Sequence, residues 1–342
     1  MKINKKEILK VLEATKPGLS NKEIIAFTNT FYFTGKDIIT FNDEICIRYP
    51  FETEFTGAVI AEKLISVLNK MGTDKEGFIE YEYTDSELIF KNKKASYGII
   101  LNSEGTLQLD EIGIEDKKWS KLPDNFITGS KLSVFCCSND QSMPSLTCLN
   151  YTNKTIQATN RFRAFEFNLS SKIDTPFLLP SFVINTLSKY DIKKYVVDSA
   201  WVHFKTNNEV VLSIRSFPEG EFPDISNFFK AKGNDFTFPD KINELLDKSL
   251  VFIEGVTESD KMVNIKIKGK KLLISSKSTE GWFKESIICE KYPNEINMEI
   301  SPIFLKDILK ETKGCKICLE PNQSMLFKAV DWQHVLSIAI ND

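Results

Sequence analysis

The chain has 342 residues, of which 42% are hydrophobic and 27% are charged, and its net charge at neutral pH is −3. This composition excludes an intrinsically disordered protein, and no apolar run approaches the roughly 18 residues of a membrane-spanning helix. The mild acidity does not exclude nucleic-acid binding, because 44 lysines and arginines are available to form local basic patches. We expect a cytoplasmic protein with no membrane association.

Amphipathic helices are predicted at matching places in successive thirds of the chain. The first helix of each third is predicted at residues 5–14, 129–138 and 239–248. The second helix of each third is predicted at residues 61–70, 180–189 and 301–310, with starting points 119 and 121 residues apart. Each second helix opens with proline or a small residue after a short apolar stretch, which is typical of a helix start.

A β-hairpin is predicted between the two helices of each third, because alternating apolar residues flank a tight turn. The turns are marked by Thr34, Thr152 and Lys268, which are 118 and 116 residues apart. Further alternating runs follow each second helix. The order helix, strands, helix, strands therefore occurs three times, and it predicts an α+β protein of three domains. The predicted domains span residues 1–120, 121–234 and 235–342.

Cysteine and histidine patterns give little support to catalysis. The seven cysteines are scattered through apolar runs, which indicates buried thiols better than a disulfide framework. Cys315 and Cys318 have the spacing of a zinc-ligand pair, but no second pair follows, and we interpret their segment as a half-buried strand. The two histidines, His203 and His334, occupy strand-like alternating runs. We predict no enzyme, no metal and no cofactor.

Two short segments resemble the bacterial DNA polymerase III beta subunit family, the sliding clamps. Residues 156–167, IQATNRFRAFEF, are similar to the family's V-A-T-D-G-H-R-L segment: Thr159 and Arg163 match it. Asn160 stands there for Asp, and Arg161-Phe162 replace Gly-His. Residues 219–229, EGEFPDISNFF, are similar to the family's D-G-R-F-P-D-Y loop. The positions that match the loop are Gly220, Phe222, Pro223 and Asp224.

The resemblance extends over nearly the whole chain, because the segments occur in the family's order and agree with the threefold repeat. It implies three domains of the DNA clamp fold, each with two helices packed on antiparallel sheet. It further implies a head-to-tail homodimer that closes into a ring around duplex DNA, opened by a clamp loader. Such a ring is a processivity factor for a DNA polymerase catalytic subunit. The departures from the family motifs indicate a divergent member, such as one encoded by a phage.

The resemblance places the helices on the inner surface of the ring. Lysines there attract phosphates without reading bases, and one lysine recurs at the same position of each second helix. The expected DNA-facing residues are Lys10, Lys70, Lys131, Lys189, Lys248 and Lys310. A solvated helix face is the alternative for each of these lysines taken singly.

The resemblance also implies a groove that binds an extended peptide of partner proteins. Its expected lining is Thr159, Arg163, Pro223, Phe228, Phe304, Leu336 and Ile338. Core burial is the alternative for Phe304 and Leu336. We expect Phe222 to anchor the acidic loop, and Glu219 and Glu221 to be dispensable loop charge. The chain ends in AIND instead of the family's Pro-Met-Arg-Leu-like tail, which leaves the peptide preference open.

The expected joint between two copies brings Tyr97 and Ile99, in the strand-like stretch ASYGIIL, against Val251 and Phe252. Two other functions stay open on the sequence alone. The first is a structural or interaction protein of repeated α+β domains with no DNA role, such as a virion component. The second is a hydrolase that uses cysteine or acidic residues. Only a clamp requires the recurrent helix lysines on one electropositive surface.

Overall fold

The computed structural model describes residues 1–20, 25–92, 95–104, 112, 117–198, 200–217, 222–255, 257–320 and 322–340, with residue 320 described by its backbone alone. The chain folds into two compact units, and each unit is made of two segments. The first unit comprises Met1–Asp124 and Phe182–Phe217. The second unit comprises Asn125–Ser181 and Pro218–Asp342.

Within the described residues, one order of elements occurs in three rounds: a strand, a helix, four strands, a second helix and three strands. The first round is β1 (Lys2–Asn4), α1 (Lys5–Thr15), β2 (Thr30–Thr34), β3 (Asp37–Phe41), β4 (Ile45–Pro50), β5 (Thr56–Ile60), α2 (Ala61–Lys70), β6 (Phe78–Tyr83), β7 (Glu87–Lys91) and β8 (Ser96–Ile100). The second round is β9 (Ser120–Lys121), α3 (Phe126–Ser133), β10 (Cys148–Tyr151), β11 (Thr155–Thr159), β12 (Arg163–Asn168), β13 (Phe177–Pro180), α4 (Ile184–Leu187), β14 (Ile192–Asp198), β15 (Trp201–Thr206) and β16 (Val211–Arg215). The third round is β17 (Lys232–Thr237), α5 (Ile242–Ser249), β18 (Val263–Lys268), β19 (Lys271–Lys277), β20 (Trp282–Ile288), β21 (Ile296–Ile300), α6 (Pro302–Leu309), β22 (Gly314–Glu320), β23 (Ser324–Lys328) and β24 (Trp332–Ser337), followed by β25 (Ala339–Ile340).

The helices of the first round lie where the sequence predicts them. α1 begins where the Asn4 side chain accepts hydrogen bonds from the backbone N–H groups of Lys6 and Glu7. α2 spans the predicted residues 61–70. By contrast, the helix predicted at residues 180–189 is largely absent. Only a 3-10 turn at Ser181–Val183 and the single α-helical turn α4 form there. Its sequence is rich in β-branched and short polar residues, which are weak helix formers.

The first helix of the second round departs from the predicted 129–138. α3 begins at Phe126, whose ring stacks on the Tyr151 ring with centroids 4.8 Å apart, and it ends at Ser133. Gly129 lets this helix approach the sheet closely, because a β-carbon there would lie 2.4 Å from the Phe167 ring. The helix therefore begins three residues before its predicted start, at a buried aromatic residue.

The first unit holds two antiparallel sheets. The larger sheet has the strand order β5-β2-β3-β4-β16-β15-β14-β9, and the smaller has the order β1-β6-β7-β8. The predicted turn at Thr34 joins β2 to β3, with Gly35 at a φ of +86°. Leu12 of α1, Leu64 of α2 and Phe90 of β7 are buried in one core.

The second unit also holds two antiparallel sheets. Their strand orders are β13-β10-β11-β12-β24-β23-β22-β17 and β20-β19-β18-β21-β25. The predicted turns at Thr152 and Lys268 join β10 to β11 and β18 to β19. His334 on β24 packs against Phe165 on β12 and Phe327 on β23. The observed helices and antiparallel sheets confirm the predicted α+β class.

The two eight-stranded sheets are assembled by one rule. In each, the third strand of a four-strand group pairs with the last strand of the following round, as β4 pairs with β16 and β12 with β24. The strands β20 and β8, which hold these positions in the remaining groups, stand at edges of the two smaller sheets. Because the larger sheets join successive rounds, the compact units do not coincide with the rounds, and the three domain boundaries stay a prediction.

Cysteines and histidines are buried in the cores. All seven cysteines are free and buried, and burial raises the pKa of the Cys46 thiol to about 12. His203 lies on β15 and His334 on β24, the strand positions that the sequence predicts, and burial lowers the pKa of His203 to about 4. In the described ranges, no three His, Cys, Asp or Glu side chains lie close enough together to hold a metal ion.

The C-x-x-C segment forms strand β22, as predicted, but its burial differs from the prediction. Cys318 is buried against Phe229, whereas Leu319 is exposed beside a register irregularity between β17 and β22. The predicted alternation therefore holds from Cys315 to Ile317, where Lys316 is partly exposed between two buried residues, and it is wrong at Cys318 and Leu319. Among the helices of the described residues, none is both long and apolar enough to cross a bilayer.

Candidate functional site

Arg163 at the start of β12 is a buried cation that is only 5% exposed. Its Nη1 donates a hydrogen bond to Asp307 Oδ2 on α6 at 2.8 Å, and its Nη2 donates to the carbonyl oxygen of Phe135. The guanidinium carbon lies 4.1 Å from the centre of the Phe304 ring and 5.2 Å from that of Phe135. The ion pair and the two rings hold α6 against β12.

Removing the carboxylate of this ion pair should destabilise the second unit. Asp307→Ala leaves the buried Arg163 charge without its partner, which costs about 3 kcal/mol of unfolding free energy. The matched control is Asp240→Ala, because Asp240 is 92% exposed and pairs with Lys313 on the surface. We expect the control to lose much less stability, because an exposed ion pair is screened by solvent. Urea unfolding curves of both variants measure the difference, and equal losses would contradict the structural role of the Arg163 pair.

The strand register places two predicted groove residues in the core. Arg163 is directly opposite Leu336 on β24, so the two side chains share one face of the sheet, the face that α6 covers with Phe304. Phe304 and Leu336 are 3% and 1% exposed. Phe304 and Leu336 are therefore core residues, which was the alternative interpretation of both. They do not form an open wall of a groove.

The turn between β11 and β12 presents an exposed aromatic residue that the sequence reasoning did not select. Phe162 is 45% exposed, although its ring centroid lies 6.4 Å from that of Phe304. Thr159 Oγ1 donates to the Arg163 carbonyl at 2.8 Å and accepts from the Arg161 N–H at 3.2 Å. Arg161 has a φ of +78°, a conformation that favours glycine, and it stands where the family segment has Gly.

The residues that follow β24 lie beside this turn. The Ser337 N–H donates to the Phe162 carbonyl at 2.9 Å, and the Ile338 N–H donates to the Gln323 carbonyl at 3.2 Å. Ile338 is 7% exposed, so its side chain is largely buried here. The exposed aromatic side chain of this region is therefore that of Phe162.

The segment Phe222–Lys230 covers the opposite face of the same sheet. Ile225 and Phe229 are buried in a cluster with Ala164 and Val335, and Phe222 packs against that cluster as the predicted anchor. Ala164 and Val335 are opposed residues that alternate with Arg163 and Leu336, so this face is the one turned away from α6.

Within this segment, Asp224 accepts a hydrogen bond from the Ser226 N–H at 2.9 Å, which lowers the pKa of its carboxyl group. Pro223 and Phe228 are exposed, and Phe228 is 44% exposed. The predicted groove residues are thus divided between two faces of one sheet. Glu219 and Glu221 lie outside the described residues.

In the first unit, two predicted DNA-facing lysines line one cleft of about 980 Å³. Lys10 on α1 and Lys189 just after α4 are both exposed on its wall. The Tyr190 hydroxyl donates a hydrogen bond to the carbonyl of Ala14. Tyr190, which follows Lys189 in the chain, is thereby held against the C-terminal end of α1. The structure therefore brings together lysines from two rounds. Lys70, the last residue of α2, is exposed as well.

The three predicted lysines of the second unit are all exposed, but two of them have partners. Lys248 on α5 pairs with Glu285 on β20 at 2.7 Å. Lys310 pairs with Asp307 at 3.1 Å, so it shares a carboxylate with Arg163. No ion pair is seen for Lys131 with any other described residue. Ion pairing therefore reduces the net positive charge around two of the predicted lysines.

The predicted joint residues lie at or beside sheet edges. Tyr97 and Ile99 are on the edge strand β8, where Ile99 is only 7% exposed and packs into the core of its unit. Val251 and Phe252 are in a 3-10 turn that packs beside β19 and the edge strand β20. Val251 is 72% exposed.

Three exposed apolar residues on the edge strands β8 and β20 were missed at the sequence level. Ile100 on β8 is 72% exposed, and Trp282 and Ile288 on β20 are 69% and 83% exposed. The exposure of Ile100 could have been predicted from strand alternation, because Ile99 and Ile100 must face opposite sides of the sheet. Nothing local in the sequence identified β20 as an edge strand, since this depends on which strands pair.

Neither protein-family models nor curated proteins match the sequence. Solved structures match it over its whole length. The DNA polymerase sliding clamp from Bacillus subtilis has a TM-score of 0.82 at 18% identity, covering 100% of this chain and 99% of that chain. The chain has the sliding-clamp fold.

Two further structures with the sliding-clamp fold show the same agreement. The DNA polymerase III beta chain from Streptococcus pneumoniae has a TM-score of 0.83 at 18% identity, covering 99% of this chain and 98% of that chain. A sliding clamp from Pseudomonas aeruginosa, solved with griselimycin bound, has a TM-score of 0.79 at 14% identity, with coverage of 99% and 98%. The sliding-clamp fold is thus confirmed as the fold that the sequence resemblance implied.

Proposed function

We propose that the protein is a DNA sliding clamp, a non-catalytic processivity factor that encircles duplex DNA and tethers a DNA polymerase catalytic subunit. The observation that carries this proposal is the full-length match to clamps of the same fold, with TM-scores of 0.82 and 0.83. Each round of elements is then one clamp domain, near residues 1–120, 121–234 and 235–342. The place of action is the cytoplasm, where bacterial or phage DNA is replicated.

A homodimer follows from the edges that the assembly rule leaves open. β20 is the third strand of its four-strand group and β8 is the last strand of its round, the two positions that pair in each eight-stranded sheet. Pairing β20 of one copy with β8 of another completes a third sheet of the same kind. A head-to-tail dimer with two such joints leaves neither edge exposed.

Sequence-independent attraction to DNA is supported by the exposed lysines at the helices. Lys10 and Lys189 share one cleft, although they belong to different rounds of the repeat. Lysines attract phosphates without recognising bases, so the ring is expected to slide and its affinity to fall with salt. Topological linkage, and not the strength of contacts, would keep the ring on DNA.

A partner-peptide site is supported by two exposed aromatic rings, one beside the buried cluster of Ile225 and Phe229 and one beside Phe304 of α6. Phe228 is 44% exposed, on the segment whose Ile225 and Phe229 are buried. Phe162 is 45% exposed on the β11–β12 turn. These rings offer apolar area to a Leu- or Phe-containing tail of a polymerase or of a clamp loader. One clamp of this fold was solved with griselimycin bound.

The peptide site can be tested with a polymerase-tail peptide. Phe228→Ala should weaken its binding about tenfold, because one aromatic contact of an interface is worth roughly 1–3 kcal/mol. The matched control is Phe182→Ala, since Phe182 is also an exposed phenylalanine, at 51%, and belongs to the first unit. Fluorescence anisotropy measures both. Unchanged binding by the first variant, or equal loss by the two, would remove Phe228 from the site.

The clamp proposal itself is tested by topology. Dimers dissociated by dilution and reassembled in the presence of nicked circular plasmid should remain with the DNA through gel filtration in high salt. Cutting the plasmid should release them, because a ring slides off an end. A structural protein with no DNA role would elute free of both forms, and a simple DNA-binding protein would not distinguish the circle from the linear form.

A further inference from the structure

We infer that β20 and β8 of two copies pair in one specific register, with Ser286 directly opposite Ser96 and Trp282 opposite Ile100. This rests on the proposed function, since it supposes that the two edges meet. The register is read from the two junctions that lie within this chain. Both junctions can be aligned with the edge strands through the turns that flank them.

The first junction contains a row of four directly opposed residues on β3, β4, β16 and β15. The row is Ile39, Arg48, Val211 and Lys205. Ile39 is the third residue of β3, counted from the hairpin turn. Lys205 immediately precedes Thr206. The Thr206 N–H donates to the Val210 carbonyl at 3.0 Å and so closes the turn between β15 and β16.

The second junction repeats this row on β11, β12, β24 and β23. The row is Gln157, Glu166, Gln333 and Lys328. Gln157 is again the third residue after its hairpin turn. Lys328 again immediately precedes the turn-closing residue, Ala329, whose N–H donates to the Trp332 carbonyl at 2.9 Å. Two independent junctions therefore give the same register.

The edge strands contain the two halves of a third row. Leu273 is the third residue of β19 and is opposite Ser286 on β20. Lys91 is opposite Ser96 on β8, and it precedes Asn92, whose N–H closes a turn to the Ala95 carbonyl at 2.9 Å. Joining the halves gives Leu273, Ser286, Ser96 and Lys91, so Ser286 of one copy faces Ser96 of the other.

This register matches the side chains along the joint. Trp282 and Ile100, which are 69% and 72% exposed, become direct partners on one face of the sheet. On the other face, Phe283 meets Ile99, and both are already partly or fully buried in their own units. A slip of two residues would leave the ring of Trp282 opposite Gly98 or beyond the end of β8.

The register also creates an ion pair between the copies. Lys284 falls opposite Gly98, which has no side chain to block it. A β-carbon at Gly98 would lie 3.6 Å from Glu87 Oε1 on β7, so this carboxylate is within reach of a lysine that crosses the glycine. Glu87 is exposed. Lys284 and Glu87 are therefore the charge pair that distinguishes this register from its neighbours.

Disulfide cross-linking tests the register. The variant Ser96→Cys with Ser286→Cys replaces two exposed serines and should give a covalent dimer on a non-reducing gel after mild oxidation. Two controls place the cysteines one diagonal apart, at Ser96 with Lys284 and at Gly98 with Ser286. We expect at least tenfold slower cross-linking for both controls, because diagonal β-carbons are too far apart. The seven native cysteines are buried, so the unchanged protein should not cross-link.

Each outcome decides one question. If sedimentation shows a dimer and a control pair cross-links faster, the register is wrong while the clamp proposal stands. If the protein is a monomer and no pair cross-links, the proposed function fails with it. As a second measurement, Lys284→Glu should weaken the dimer about threefold, as an exposed ion pair does, and Glu87→Lys should restore it. Absence of rescue would overturn the Lys284–Glu87 pair.

Discussion

Trp282→Glu is expected to convert the dimer into monomers at concentrations where the unchanged protein is dimeric. Trp282 is 69% exposed on the edge strand β20, where the proposed register places it against Ile100 of the second copy. Tryptophan anchors at interfaces cost roughly 2–4 kcal/mol when removed, and the new carboxylate would also be desolvated. The dimer dissociation constant should therefore rise about 100-fold or more.

The matched control for this variant is Val330→Glu. Val330 is 94% exposed on the turn between β23 and β24, at neither edge strand, so the same charge is added without touching the joint. Sedimentation velocity over a concentration series measures both variants. A Trp282→Glu protein as dimeric as its control would refute the β20–β8 joint. Ile99→Asp is a poor test, because Ile99 is 7% exposed and its replacement would disturb the core of the first unit.

Local features of the fold were predictable from the sequence because their causes are local. The hairpin turns at Thr34, Thr152 and Lys268 are set by short-range turn chemistry, and all three are observed. α2 coincides with its prediction because Leu64 and Leu68 fall on one buried helical face. The same periodicity failed for α4, where weak helix formers limit the helix to one turn.

Features that depend on distant pairing were not predictable. Asp307 lies 144 residues from Arg163 in the sequence, and no local sequence pattern predicts their ion pair. The pair and the register of β12 with β24 are what bury Phe304, so its burial could not be settled from its own helix. In the same way, the pairing of Lys248 with Glu285 depends on the approach of α5 to β20. Spacing identified the recurrent lysines but not which of them stay unpaired.

The combined replacement of Lys70, Lys189 and Lys310 with glutamate is expected to abolish retention on circular DNA while the protein stays a folded dimer. All three lysines are exposed at the ends of second helices, and their reversal turns attraction for phosphates into repulsion. Each lost phosphate contact should lower the salt dependence of DNA binding by roughly one unit. Lys310 already pairs with Asp307, so Lys70 and Lys189 should account for most of the loss.

The matched control replaces Lys36, Lys154 and Lys270 with glutamate. These lysines are also exposed and also occupy equivalent positions in the three rounds, but they lie in the hairpin turns and not on helices. Both triple variants change the net charge from −3 by the same amount, so a bulk-charge effect would reduce DNA retention equally in the two. Retention is measured on nicked circular plasmid by gel filtration. Loss confined to the helix variant would locate DNA at the helices, whereas equal retention by both variants would mean that these helix lysines face elsewhere.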